Sequence, residues 1–311
     1  MSGAVWTSLD IGASPALTAK RTINSLLLLL LHVSSDSILI KNNLFTESSA
    51  QLKANQLERA SHHFYSLESQ GLAAKIISDT VPKRNMLAWS ENLDTMSESI
   101  HNFARKAIQQ QLPTLANLAR WKKATDASCP LCNKGKPQTN KHVLSNCESP
   151  AALSRYTKRH DAILSVLADW IYDNKSQHQT LHADLDSTKF KPISDIFDQV
   201  LRPDIVITSA TSVIVLELTV CHETNMTKSR DYKLNKYLNL NKALKIPWHK
   251  SQLGTLTVEV STLGCVSDLS QFSKAVQIEK ISKETLKRIA VLALNHSFSI
   301  YINRNHANCC L

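Results

Sequence analysis

Glycine is scarce in this sequence, with 6 among 311 residues. Neither G-x-x-x-x-G-K-[ST] nor G-x-G-x-x-G occurs, which excludes the two glycine-rich loops that cradle nucleotide phosphates. Long apolar runs are lacking as well. The run Leu26–Leu31 is far shorter than the roughly 20 residues of a membrane-spanning helix. It lies behind Lys20 and Arg21 and ahead of Ser34, Ser35 and Asp36, and it reads as a buried helix rather than a secretory leader. No membrane partner is expected. Seven cysteines, an odd number, do not close a disulfide framework and fit reduced thiols in an intracellular protein. The terminal Cys309-Cys310-Leu311 is not a prenylation box, because Asn308 stands fourth from the end. Acids are in deficit too, 26 against 36 Lys plus Arg, for a formal net charge of +10. That excess favours an anionic partner, nucleic acid first, over a small-molecule substrate.

What is present divides along the chain. Residues 1–50 are irregular, with apolar patches. Residues 51–125 are helical in pattern: a proline-free stretch from Gln51 to Leu72, then Ser97–Gln111 and Thr114–Lys123 separated by Pro113. The basic, aromatic segment Arg120-Trp121-Lys122-Lys123 closes them. Residues 126–150 hold a Cys/His cluster. Residues 151–175 predict one helix, with Leu153, Tyr156, Ile163, Leu164, Leu167 and Trp170 on a broad apolar face, and the polar, His- and Lys-rich 176–192 read as a linker. From 193 to 300 the pattern runs helix, hairpin, helix, strand, helix, with 301–311 as a tail.

The cluster is Cys129, Cys132, His142 and Cys147, spaced C-x2-C-x9-H-x4-C. The first pair places two thiolates on one tight turn, and the His and the last Cys complete a tetrahedral Zn2+ site. Four protein ligands make such a site structural, and the ion supplies folding energy to a segment too short for a core of its own. Lys134, Lys136 and Lys141 lie between its halves on a basic loop suited to phosphate contacts.

A second constellation lies in two short β-branched runs, 204–208 and 213–220, which read as strands. A tight hairpin centred on Ala210 and Thr211 opposes residues whose numbers sum to 421, and so sets Asp204 against Glu217. Opposed Cβ atoms stand about 4.5–5.5 Å apart. Two acids that close repel unless something positive lies between them. A divalent cation, Mg2+ above all, fits that role. Glu217 shares a strand face with Val213, Val215 and Thr219, and the later strand 255–261 puts Glu259 on its polar face. The helix that follows carries Lys233, Lys236 and Tyr237 at i, i+3 and i+4, hence on one side. A Lys there serves to orient a metal-bound water or to stabilise phosphorane charge.

The run Pro203-Asp204, Glu217-Leu-Thr-Val220, Glu223, Asn225-Met226 and Lys233-Leu-Asn-Lys236-Tyr237 resembles the restriction-like endonuclease of site-specific non-LTR retrotransposon polyproteins. Those polyproteins also carry a C-C-H-C knuckle ahead of the nuclease, matched in order by Cys129, Cys132, His142 and Cys147, with Arg159-His160 after it. The resemblance covers roughly residues 115–265. It implies an α/β fold: a helical N-terminal region, a small zinc knuckle and a C-terminal restriction-endonuclease-like domain with a mixed central sheet flanked by helices. It also implies structural Zn2+ and catalytic Mg2+. Asp204 and Glu217 are then the Mg2+ ligands, and Lys233 or Lys236, with Tyr237 after, supplies the charge. Arg120, Lys122, Lys123, Lys134, Lys136 and Lys141 grip DNA, with RNA of the parent element as a further partner, in the nucleus. In many relatives of the wider superfamily the Lys lies two residues after the second acid, where this chain has Thr219. No Tyr/Phe-x-Asp-Asp polymerase motif occurs, so no reverse transcriptase activity is expected, and 51–125 read as its trailing helices. The chain is read as a fragment, a degenerate copy or a domesticated remnant of such an element, either nuclease or catalytically inactive nucleic-acid binder.

Overall fold

A computed structural model describes residues 49–68, 70–197, 202–237 and 252–307. The expected buried helix at Leu26–Leu31, nearly all of the irregular 1–50 segment and the Cys309-Cys310-Leu311 tail lie outside the described residues.

The expected helix over 51–72 is two helices, α1 (Ser49–Ser66) and α2 (Gln70–Thr80). They meet at Gly71, where a Cβ would collide with the carbonyls of Phe64 and Tyr65. Ser97 accepts the Ile100 N–H and starts α3 (Glu98–Ile108), whose Phe103, Ala104 and Ala107 recur at helical spacing and are buried. Pro113 separates it from the short α4 (Leu115–Arg120). Ser149 caps α5 (Pro150–Asn174), with proline at the first helical position, where its missing N–H costs nothing. The remaining elements are β1 (Thr180–Ala183), β2 (Ile205–Thr208), β3 (Ser212–Cys221), α6 (Met226–Lys236), β4 (Gln252–Ser261), α7 (Ser270–Val276) and α8 (Lys283–Ile302). Ile302 carries α8 one turn's edge into the segment read as a tail.

The four strands form one mixed sheet in the order β1-β2-β3-β4, antiparallel across the first two junctions and parallel across the last. The β2–β3 hairpin has the expected register, with Ile205 opposite Leu216 and Thr208 opposite Val213. The linker read at 176–192 contains β1, so the sheet begins at Thr180. Four residues of strand are too few for their alternation to stand out among His and Lys neighbours.

Both faces of the sheet are covered. Ile205, Ile207, Ile214, Leu216, Leu218, Val258 and Val260 pack with Ile163, Leu167, Ile171, Phe272 and Ile289 from the flanking helices. On the other face Val206, Val213 and Val215 meet Ile193, Ile196, Phe197 and Tyr237. The face expected to be polar is therefore buried, and Glu259 on it is only 3% exposed. The helices before the knuckle do not stand apart. Trp89 is fully buried and donates its Nε1–H to Leu263 O at 2.6 Å, and Leu87, Phe103 and Leu112 share a core with Leu263, Leu294 and Ile300. Gly264, at φ +81°, allows that turn to lie on α8, since a Cβ there would come within 2.6 Å of Ala290 O.

Among the described residues Glu259 Oε1 has no hydrogen-bond partner, and Thr219 Oγ1, on the residue paired with it, has none either. Burial raises the Glu259 pKa above the ordinary glutamate value. The stability it contributes is present at pH below the unfolded value and is lost as pH rises through the folded one. Glu259→Gln is thus expected to match the wild type in thermal melts near pH 4 and to exceed it by about 1 kcal/mol at pH 7. Equal melts at both values would show that burial does not penalise this carboxylate.

Candidate functional site

Two separate constellations take shape, and α5 connects them. The first is the knuckle. Cys129 and Cys132 flank a turn closed by Asn133 N–H to Cys129 O at 3.3 Å, with Asn133 and Gly135 at φ +50° and +64°. Left-handed backbone at those positions is why Asn and Gly stand there. The Cys129 N–H donates to Lys136 O at 2.9 Å and folds the basic loop back. His142 follows at the start of a single wide helical turn, 142–146. Tyr156 on α5 latches the last ligand, as its hydroxyl accepts the Cys147 N–H at 3.2 Å and donates to Val143 O at 2.8 Å.

The four ligand atoms lie within 4.8 Å of one another. Cys129 Sγ and Cys147 Sγ are 4.0 Å apart, and Cys132 Sγ and His142 Nε2 are 3.6 Å apart. Ligands on a tetrahedral zinc ion stand about 3.8 Å apart for two sulfurs and about 3.6 Å for sulfur and nitrogen, given the usual Zn–S and Zn–N lengths. The donor set therefore fits zinc bound at His142 Nε2, with the ring proton on Nδ1. Burial, then Lys136, lowers the His142 pKa, which keeps the imidazole neutral as a ligand must be. Burial, with Cys147 and Cys132 adding to it, pushes the Cys129 thiol up to about 11, a cost that bound Zn2+ reverses by holding the thiolate. Cys129, Cys132, Cys147, Cys221 and Cys265 are all free thiols.

The second constellation is the acid pair. Hairpin register brings Asp204 to Glu217, and their hydrogen bonds cross: the Asp204 N–H donates to Glu217 Oε1 at 3.1 Å, and the Leu218 N–H to Asp204 Oδ2 at 2.8 Å. Glu217 is fully buried and Asp204 nearly so. The positive group between them belongs to the protein. Lys233 Nζ lies 2.5 Å from Glu217 Oε2 and 3.7 Å from Asp204 Oδ2. One helical turn on, Lys236 Nζ meets Tyr237 Oη at 3.1 Å, and the Tyr237 hydroxyl donates to Arg202 O at 3.3 Å. Of the two lysines, geometry thus brings Lys233 to the acids, while Lys236 and the buried Tyr237 tie the end of α6 to the residue before Pro203-Asp204.

Sequence reasoning missed one neighbour. His160 Nε2 is 3.5 Å from Asp204 Oδ1, and its Nδ1 is 3.0 Å from Asp161 Oδ1. The position of Arg159-His160 after the knuckle was the available signal, but only the packing of α5 on the sheet shows where it leads. Burial opposes charge on this imidazole; Asp204 and Asp161 outweigh it and raise the pKa to about 9. Burial likewise disfavours charge on Asp204, but His160 and Lys233 prevail and hold its pKa low. Glu217 is raised, by burial and then by Asp204.

Of the basic residues, Arg120, Lys122 and Lys123 are exposed. Lys134 and Lys136 both pair with Glu148, the latter at 2.6 Å, and Lys134 before Lys136 holds that exposed carboxyl down to about 2. Lys141 is half-buried.

The architecture and the knuckle define a mixed α/β protein with a zinc-binding Cys3His cluster. A family model described as zinc-binding in reverse transcriptase matches residues 74–153, a span that ends just beyond Cys147. That match supports a retrotransposon-related protein, and with the Cys3His geometry it supports zinc binding. No curated protein matches the chain. No described helix is long and apolar enough to cross a membrane.

Proposed function

We propose that this chain is the zinc-knuckle and restriction-like endonuclease portion of a retrotransposon-derived protein, cleaving DNA phosphodiesters with Mg2+ at Asp204 and Glu217. One observation carries the reading: two buried carboxylates and the Lys233 ammonium converge at one point of the sheet, in the chain order that the resemblance implies. The succession α5, three antiparallel strands, α6 and a parallel β4 supports a mixed sheet flanked by helices.

The acids fit a hard cation. Each ionised carboxylate has about four acceptor sites, and among the described residues Asp204 Oδ1 meets His160 at 3.5 Å. The Asp204 side chain also keeps 12% exposure, an opening to solvent. Bound Mg2+ would supply Lewis-acid polarisation of the phosphate and a lowered pKa for the attacking water. Lys233 would exchange Glu217 for a phosphate oxygen and stabilise the charge developing there. Lys236 and Tyr237 would hold α6 in place for that exchange. Arg120, Lys122, Lys123, Lys134, Lys136 and Lys141 would hold the backbone of DNA, or of the parent element's RNA, with little base specificity. A nuclear location follows from a DNA substrate. The direct assay is nicking of supercoiled DNA with Mg2+.

A second reading, a catalytically inactive nucleic-acid binder, is favoured by one observation: Lys233 and His160 already neutralise the acid pair without a cation. Salt-dependent nucleic-acid binding by wild type with no Mg2+-dependent nicking would select it.

Under either reading, Glu148 restrains the basic loop. Glu148→Gln frees Lys134 and Lys136, so nucleic-acid affinity is expected to rise severalfold at low salt. The salt slope is expected to steepen by about 0.9 for each phosphate newly contacted. An unchanged slope in fluorescence-anisotropy titrations would place these lysines outside the interface.

A further inference from the structure

We propose that His160 is a positioning residue for Asp204, held at the acid pair by a helix whose start is fixed by the zinc ligands. This rests on the reading of Asp204 as a cation ligand. Asp204 Oδ2 is held by the Leu218 N–H at 2.8 Å, which leaves Oδ1 as the atom that must be aimed, and His160 Nε2 is the group that faces it. The imidazole cannot turn freely, because Asp161 Oδ1 holds its Nδ1 at 3.0 Å.

The backbone beneath it is pinned at several points. At the start of α5, Ser149 Oγ accepts the Ala152 N–H at 3.2 Å and lies 3.5 Å from Cys147 Sγ. Two turns on, Tyr156 closes on the backbone of Val143 and Cys147. Arg159, beside His160, is 1% exposed, donates to Ser297 Oγ at 2.9 Å and stacks its guanidinium 5.5 Å from the Tyr156 ring centre. These contacts set both the rotation and the axial position of the helix, so His160 reaches Asp204 without a choice of register. A side chain that orients a metal-ligating carboxylate from behind is worth about 10- to 100-fold in metal affinity. The knuckle thereby belongs to the same mechanical unit as the acids, about 15 Å of helix away at 1.5 Å per residue.

The test compares wild type, His160→Ala and His160→Gln as full chains with zinc bound, using two readouts. In metal-free acid sites, the Leu218 amide is expected to exchange hydrogen at least about tenfold faster in His160→Ala, because Asp204 Oδ2 is released with the rest of its carboxyl; His160→Gln, whose amide nitrogen reaches the place of Nε2, should restore protection. Calorimetric Mn2+ titration should show about tenfold weaker binding for His160→Ala and near wild-type binding for His160→Gln. Unchanged Leu218 exchange in a His160→Ala protein of wild-type melting temperature overturns the proposal, as does a Gln variant as impaired as Ala. Should the Ala variant not fold, His160→Leu keeps the volume and carries the same expectation. The expected exchange pattern without Mn2+ binding in any protein would uphold the positioning role and reject the cation reading of Asp204.

Discussion

Removing the knuckle's zinc is expected to lower the melting temperature by on the order of 10 °C or more, the largest stability effect in this protein. Structural zinc in such sites contributes about 10–16 kcal/mol of apparent binding free energy near pH 7. Even a fraction of it, several kcal/mol, shifts a domain of this size by roughly 2–4 °C per kcal/mol. The loss spreads because the knuckle is not peripheral here. Cys147 is buried against Ala152 and Tyr156 on α5, and α5 packs on the sheet. Atomic absorption is expected to find one zinc per wild-type chain and none in Cys129→Ser or Cys147→Ser, and chelation of wild type should give the same melt as either variant. A chelated protein that melts like wild type would show that the cluster closes on itself without the ion.

Asp204→Asn is expected to reduce Mg2+-dependent nicking roughly a thousandfold, about 4 kcal/mol of transition-state stabilisation. The fold should survive, since the amide keeps the volume and can still accept the Leu218 N–H. The contrast is Lys233→Met. It strands the fully buried Glu217 carboxylate, which loses its partner at 2.5 Å. Breaking a buried pair in this way costs about 3–5 kcal/mol, so Lys233→Met should lose stability along with activity. Glu217→Gln with Lys233→Met should recover much of that stability while remaining inactive, because both buried charges go together. Equal nicking by wild type and Asp204→Asn, after purification free of contaminating nuclease, would remove Asp204 from the mechanism.

Much of both sites was legible because their geometry is local. The hairpin register followed from β-branched runs and a two-residue turn, which oblige residues summing to 421 to face each other. The knuckle followed from spacing, since thiolates two residues apart on a turn meet one ion. The sheet's second face and the strand Thr180–Ala183 were not legible, as both depend on what packs against them. Glu217, Glu259 and Thr219 look like a polar strand edge in sequence. Glu217 and Glu259 are buried and Thr219 half-buried, because that face is covered, with Ile193, Ile196, Phe197 and Tyr237 packed over Val206, Val213 and Val215 beside Glu217. Two opposed acids require a positive group between them, and Lys233 occupies that place.

By itself, then, the sequence determined the zinc ligands, the opposition of Asp204 and Glu217, and the helix that carries the lysines, each a matter of short spacing and backbone period. Only the tertiary structure decided that Lys233 rather than Lys236 reaches the acids, that Glu148 restrains Lys134 and Lys136, and that His160 stands at Asp204. Those outcomes depend on how α5 and α6 lie against the sheet. That is set by the burial of Arg159, Leu167 and Tyr237 among residues far along the chain, which no local pattern encodes.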